Sequence, residues 1–247
     1  GTVTYTKVSG TFAVSTTCAN AGTYTNTWVA KDVCNNSSTT FTQVITIQDT
    51  TPPTWTTAPT ALNVTLQCSD TAGLTTAQAS APVATDSCNG TVTYTKVSGT
   101  FAVSTTCANA GTYTNTWVAK DVCNNSSTTF TQVITIQDTT KPVWSTNATA
   151  LNTTLQCSDT AGLATAQATF PTATDNCDTD VANITKVTGV FVASTSCANS
   201  GTYTNTWTVT DNCGNVSDTF TQVITIEDTT KPIWSTNATA LNTTLQC

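Results

Sequence analysis

Eleven cysteines and no histidine define the chemistry open to this chain. Without histidine, Ser-His-Asp and Cys-His arrangements lose their usual base. A zinc site lacking histidine needs four cysteines at close paired spacings, and no Cys-x-x-Cys occurs. The cysteines are widely and regularly spaced, so disulfides are the expected state, in an oxidising, extracellular compartment. Carboxylate pairs for glycoside hydrolysis must converge in a pocket, whereas the acids here recur at turns. Hard oxygen ligands suit calcium, and Asp175, Asp178 and Asp180 lie close together around Cys177. They are the one metal expectation, a structural Ca²⁺; no other cofactor is implied. Turn formation is the favoured reading of these acids. The EF-hand pattern is missing, and Asn89 and Gly90 follow Cys88 in the preceding copy, without counterparts of Asp178 and Asp180.

These residues belong to a repeat. Residues 1–51 return unchanged as residues 90–140, and a third copy follows with a one-residue insertion between Cys177 and Lys186. Trp28, Trp117 and Trp207 march in step, as do Trp55, Trp144 and Trp234. Residues 231–247 match residues 141–157 with one difference, Ile233 for Val143. Proline cannot donate to a sheet ladder, so the Asp-Thr-Thr-Pro-Pro and Asp-Thr-Thr-Lys-Pro stretches from Asp49, Asp138 and Asp228 mark domain edges. The expected organisation is a partial repeat at 1–51, complete repeats at 52–140 and 141–230, and the start of another at 231–247. The chain opens at Gly1 in mid-pattern, as a fragment or mature segment would. Connections this short restrict tumbling between neighbours.

Within a unit, Leu62, Val64 and Leu66 alternate with Asn63, Thr65 and Gln67, the pattern of a half-buried strand. A capping Ser-Asp opens a short helix over 69–79. Val92-Thr93-Tyr94, Phe101-Ala102-Val103, 113–118 and 130–136 read as further strands between Gly and Asn turns. The fold class expected is all-β: tandem immunoglobulin-like β-sandwich domains, disulfide-stapled, end to end. Trp117 is expected between the sheets. Trp144, just after the linker proline, is expected at the domain junction.

Each full unit holds four cysteines, which allow three pairings. Sequential pairing strands the fewest: Cys18–Cys34, Cys68–Cys88, Cys107–Cys123, Cys157–Cys177 and Cys197–Cys213, with Cys247 left over. That connectivity is the expectation.

Asp-Thr-Thr-Lys-Pro-Val-Trp, Ala-Thr-Asp-Asn-Cys, Gly-Thr-Tyr-Thr-Asn-Thr-Trp and Asp-Asn-Cys-Gly-Asn carry a resemblance to hyalin (HYR) and related immunoglobulin-like repeats. The version here resembles giant surface proteins of gliding, type IX-secreting bacteria. The resemblance implies stalks, adhesins and filaments at the cell surface. Partners would be neighbouring repeats of the same chain, identical chains in a filament, and surface glycans. It also implies O-glycan sites at Thr50, Thr71, Thr139, Thr160 and Thr229, all following Asp; the plainer role of Asp-Thr is capping or turning. One departure stands out: the Gly after the fourth cysteine, Gly214, is Asn35 and Asn124 in the other copies. A net charge of −7 with 7 Lys+Arg argues against nucleic acid, and no apolar run approaches the length of a membrane span. The function expected is a structural repeat giving length and stiffness, with a carbohydrate- or receptor-binding module as the alternative. Catalysis has no support.

Overall fold

The sequence alternates apolar and small polar residues, and the backbone answers with strands. A computed structural model describes residues 1–88 and 90–247 and divides them into two compact units, Gly1–Asp138 and Thr139–Cys247.

The first unit begins with β1 (Thr4–Val8), β2 (Phe12–Val14), β3 (Gly22–Lys31) and β4 (Phe41–Ile47). β3 carries β1, β2 and β4 as antiparallel partners. The second repeat follows as β5 (Thr54–Trp55), β6 (Val64–Gln67), α1 (Thr71–Ala79), β7 (Ala84–Thr85), β8 (Thr93–Val97), β9 (Ala102–Val103), β10 (Gly111–Lys120) and β11 (Phe130–Gln137). Its large sheet runs β6-β11-β10-β8, with β9 also on β10; β5 and β7 form a small second sheet. β6 joins β11 in parallel, Val64 opposite Ile134 and Leu66 opposite Ile136.

The second unit repeats this plan: β12 (Val143–Trp144), β13 (Thr153–Gln156), α2 (Thr160–Ala168), β14 (Ala173–Thr174), β15 (Ile184–Val187), β16 (Val192–Ala193), β17 (Gly201–Val209) and β18 (Phe220–Glu227). Residues 231–247 form turns but no strand. The architecture is all-β, with uneven immunoglobulin-like sandwiches in tandem.

Alternation builds the core, because successive strand side chains point to opposite faces. Asn115, Trp117 and Ala119 on β10 are buried, as are Phe130, Gln132, Ile134 and Ile136 on β11. The buried amides complete the core. Asn115 Nδ2 donates to Gln132 Oε1 at 2.9 Å and to Gln78 Oε1 at 3.0 Å. Gln132 Nε2 donates to Leu62 O at 2.9 Å and Ala77 O at 3.0 Å, tying the start of β6 and the helix to the sheet. These buried polar groups are hydrogen-bonded, as burial requires. The expected helix forms, capped by Asp70, whose Oδ1 accepts from Gly73 N at 2.8 Å.

Trp117, expected inside the sandwich, is 2% exposed, and its ring packs on Phe130 of the neighbouring strand. Trp144 departs from expectation. Its ring packs on Phe220 of its own repeat at 5.5 Å, and its Nε1 donates to Asp218 O at 2.7 Å. Trp55 does the same with Phe130 at 5.4 Å and Thr128 O at 2.8 Å. Both sit on the small sheet, so the indole bridges the two layers of one sandwich. Sequence position beside the linker had suggested the junction instead.

Candidate functional site: the junction between the first two repeats

The cysteine after β3 and the one before it cannot meet. Cys18 precedes β3 and Cys34 follows it. At about 3.3 Å per residue the ten-residue strand separates them by roughly 30 Å, whereas a disulfide holds its Cα atoms within about 7 Å. Cys18 is bonded instead to Cys123 of the next repeat, with Cα atoms 4.4 Å apart and 105 residues between them in sequence. The expected Cys18–Cys34 and Cys107–Cys123 bonds are thereby corrected. Cys34, Cys88, Cys157, Cys197 and Cys247 carry free thiols, so Cys68–Cys88, Cys157–Cys177 and Cys197–Cys213 do not form either. Cys68, Cys107, Cys177 and Cys213 are disulfide-bonded.

Each half of the Cys18–Cys123 bond sits in a preset turn. On the first repeat, Ser15 N donates to Ala21 O and Ala21 N to Cys18 O, closing the loop that presents Cys18. On the second, Asp121 Oδ1 accepts from Cys123 N and Asn125 N, both at 2.8 Å, and its Oδ2 accepts from Asn125 Nδ2 at 2.8 Å. The same carboxylate turn holds Cys34 through Asp32 and Cys213 through Asp211. Hydrogen bonds from the Asn36 side chain and backbone, with a further one from Cys34, hold the Asp32 carboxyl below its ordinary value against an opposing desolvation. The residue after each of these cysteines is left-handed, with φ of 63° at Asn35, 67° at Asn124 and 89° at Gly214. Asparagine tolerates that region, so the Gly-to-Asn change leaves the turn intact.

Further contacts join the two repeats beside the disulfide. Asn125 Nδ2 donates to Asp49 O at 3.1 Å. Asp49 is 8% exposed, and its Oδ1 accepts from Thr51 N at the linker. A side chain at Gly90 would meet Asn20 Nδ2 at 2.9 Å and Val122 Cγ2 at 3.2 Å, so the missing Cβ permits the close approach. Asp49, Asp86 and Cys88 each place one donor atom within 4.8 Å of the others. Asp49 Oδ2 and Asp86 Oδ2 are buried without a hydrogen-bond partner. Desolvation raises the Cys88 thiol above its ordinary value, and the Asp49 and Asp86 charges add to this against a lowering contact from Ser87. One thiol and two carboxylates do not fit calcium, which takes six to eight oxygens.

Two of the calcium candidates, Asp175 and Asp178, accept backbone hydrogen bonds. Asp175 Oδ1 accepts from Cys177 N at 2.9 Å and Asp178 N at 3.0 Å. Both oxygens of Asp178 accept backbone N–H groups, from Asp180 and from Asn212. Asp175, Asp178 and Asp180 are not brought together as one ligand group among the described residues, and Asp175 Oδ2 is buried without a hydrogen-bond partner. Thr50, Thr71, Thr139, Thr160 and Thr229 are all exposed. Thr71 and Thr160 open the two helices directly after their capping Asp.

Residues 145–226 match the HYR-like domain with 4 cysteines. The window holds Cys157, Cys177, Cys197 and Cys213. This HYR-like stretch shares its strand order with the second repeat. Residues 10–55 and 99–145 match a region termed LRR adjacent. No curated protein matches the chain. Among solved structures, Drosophila N-cadherin EC1-4 aligns at 11% identity and a TM-score of 0.33, over 83% of this chain and 58% of that one. PcdhgB3 EC1-4 aligns at 12% and 0.32, over 92% and 67%. Drosophila OTK extracellular domains 3-5 align at 12% and 0.21, over 89% and 78%. The chain thus spans 58% of the N-cadherin fragment it aligns with. Among the described residues, no helix is long and apolar enough to cross a membrane.

Proposed function

We propose that this chain is a structural segment of an extracellular filament or adhesion stalk, non-enzymatic, in which a disulfide locks the first repeat to the second. The observation that supports this best is the Cys18–Cys123 bond. A disulfide inside a domain stabilises that domain. One between domains removes the hinge, and stiffness over distance requires that. The Asn125–Asp49 hydrogen bond and the side-chain-free Gly90 reinforce the same junction. Near-identical copies suit a spacer, because length then scales with copy number. The setting this reading favours is the surface of a type IX-secreting bacterium, with O-glycans on the exposed Thr50, Thr71, Thr139, Thr160 or Thr229.

Solution scattering on the oxidised and reduced chain tests the proposal. Oxidised protein should give the narrower distribution of long interatomic distances, with reduction broadening it while circular dichroism stays β-rich. Identical distributions would remove the stiffening role. Selective glycan binding by the isolated chain would favour a binding module instead.

A further inference from the structure

The Cys18–Cys123 bond joins two stretches of chain that are already extended. β1 and β2 both run antiparallel to β3, β1 along Lys31 to Thr27 and β2 along Tyr24 to Gly22. They are successive lengths of one course, interrupted at residues 9–11, where Gly10 N donates to Asn26 Oδ1 at 3.1 Å. From Thr4 to Val14 that course covers roughly 35 Å and leads to Cys18. The later repeats lay out β8 with β9 along β10, and β15 with β16 along β17, in the same way.

Beyond the bond the chain turns once and straightens again. Ser126 bridges Lys120, and Ser127 N donates to Ala119 O at 2.9 Å, so the chain is back alongside β10 within a few residues of Cys123. β11 then runs beside β10 from Trp117 to Gly111, with β6 on its other edge. Its length is roughly 25 Å, and Phe130, Gln132, Ile134 and Ile136 anchor it in the core. Everything else in these two repeats hangs between the two sulfurs. Residues 19–122 hold β3, β4, the linker from Asp49, both strands of the small sheet, β6, α1 and β8 to β10.

We propose that this bond routes tension around the loop it closes. A pull applied before Cys18 and after Cys123 runs along β1 and β2, crosses the sulfur bridge and continues along β11. Residues 19–122 carry none of it. The path is covalent throughout and is close to full length in the folded state, so little extension remains in it. With the bridge removed, the same pull passes through the 105-residue loop, which extends to roughly 350 Å. Only strand ladders would then resist, and their hydrogen bonds contribute about 0.5–1.5 kcal/mol each. The inference deepens the stalk reading and rests on it, adding resistance to stretching to the stiffness proposed above.

Single-molecule stretching of the full chain between terminal handles tests this, with free thiols alkylated beforehand. The reporter is an insert of about 20 Gly and Ser residues between Pro59 and Thr60, in an exposed turn inside the loop. In the oxidised parent the insert should leave the fully stretched length unchanged. In Cys18→Ser/Cys123→Ser it should add about 70 Å. That addition is read whether or not the serine variant folds, so a folding defect cannot imitate the difference. An oxidised parent that lengthens by about 70 Å, with the bond verified by peptide mapping, overturns the proposal. So does a serine variant whose length ignores the insert. Scattering reports bending and this measurement reports stretching, so the stalk reading and the present proposal fail separately.

Discussion

Replacing both Cys18 and Cys123 with serine removes the covalent tie between two repeats and leaves each repeat's sheets intact. The bond closes a loop of 105 residues. In the chain-entropy model a loop near that length stabilises by about 4.7 kcal/mol. That figure is a ceiling, because Cys68 and Cys107 lie inside the loop and are themselves disulfide-bonded, restricting the unfolded chain already. A short-range Cys18–Cys34 bond would contribute about 3 kcal/mol at most on the same model. Stability alone therefore separates the two connectivities poorly, and the assay must read the bond itself. Trypsin cuts after lysine but not before proline, so Cys18 falls in peptide 8–31, Cys34 in 32–96 and Cys123 in 121–186. Non-reducing mapping should find 8–31 linked to 121–186. The double serine variant should lose that species and unfold at lower urea, by about 2–4 kcal/mol. Recovery of 8–31 linked to 32–96 in a species without 121–186 would refute the reasoning, since the strand between Cys18 and Cys34 would then have to be absent.

Three further outcomes follow from the same geometry. Trp144→Ala should lower the stability of the unit holding it by about 3 kcal/mol, the low end for Trp→Ala because the ring is half-buried; an unchanged urea midpoint would contradict the bridging role. Asn124→Gly should be nearly neutral, while Asn124→Val should cost about 1–2 kcal/mol, because Asn124 holds φ at 67°; equal midpoints for the two variants would count against that turn. The Ser200 hydroxyl, then the Asn199 and Ser200 N–H groups, lower the Cys197 thiol, whereas desolvation raises Cys88. Thiolate is the reactive form, so as pH rises Cys197 should alkylate first and Cys88 later, and mass spectrometry showing the reverse order would undo the assignment.

The period, the alternating strands, the capped helix and the buried Trp117 were all legible in the residues, because each rests on local pattern. Tyr113–Val118 was even readable as a strand between Cys107 and Cys123, which already forbids their bond; counting cysteines ignored that strand's length. The roles of Asp121 and Asn124 were legible in part, through the Asp-x-Cys spacing and the Gly-or-Asn position after it.

What the chain order determines by itself is which side chains alternate, where turns fall, and that sulfur chemistry dominates. Tertiary structure alone decided which sulfurs meet, because a disulfide depends on proximity across some four ångströms and not on order along the chain. The same holds for Trp144, whose partner Phe220 is distant in sequence and adjacent in the sandwich. Pairing β6 parallel to β11 brings together residues 70 apart, and no local propensity records that choice.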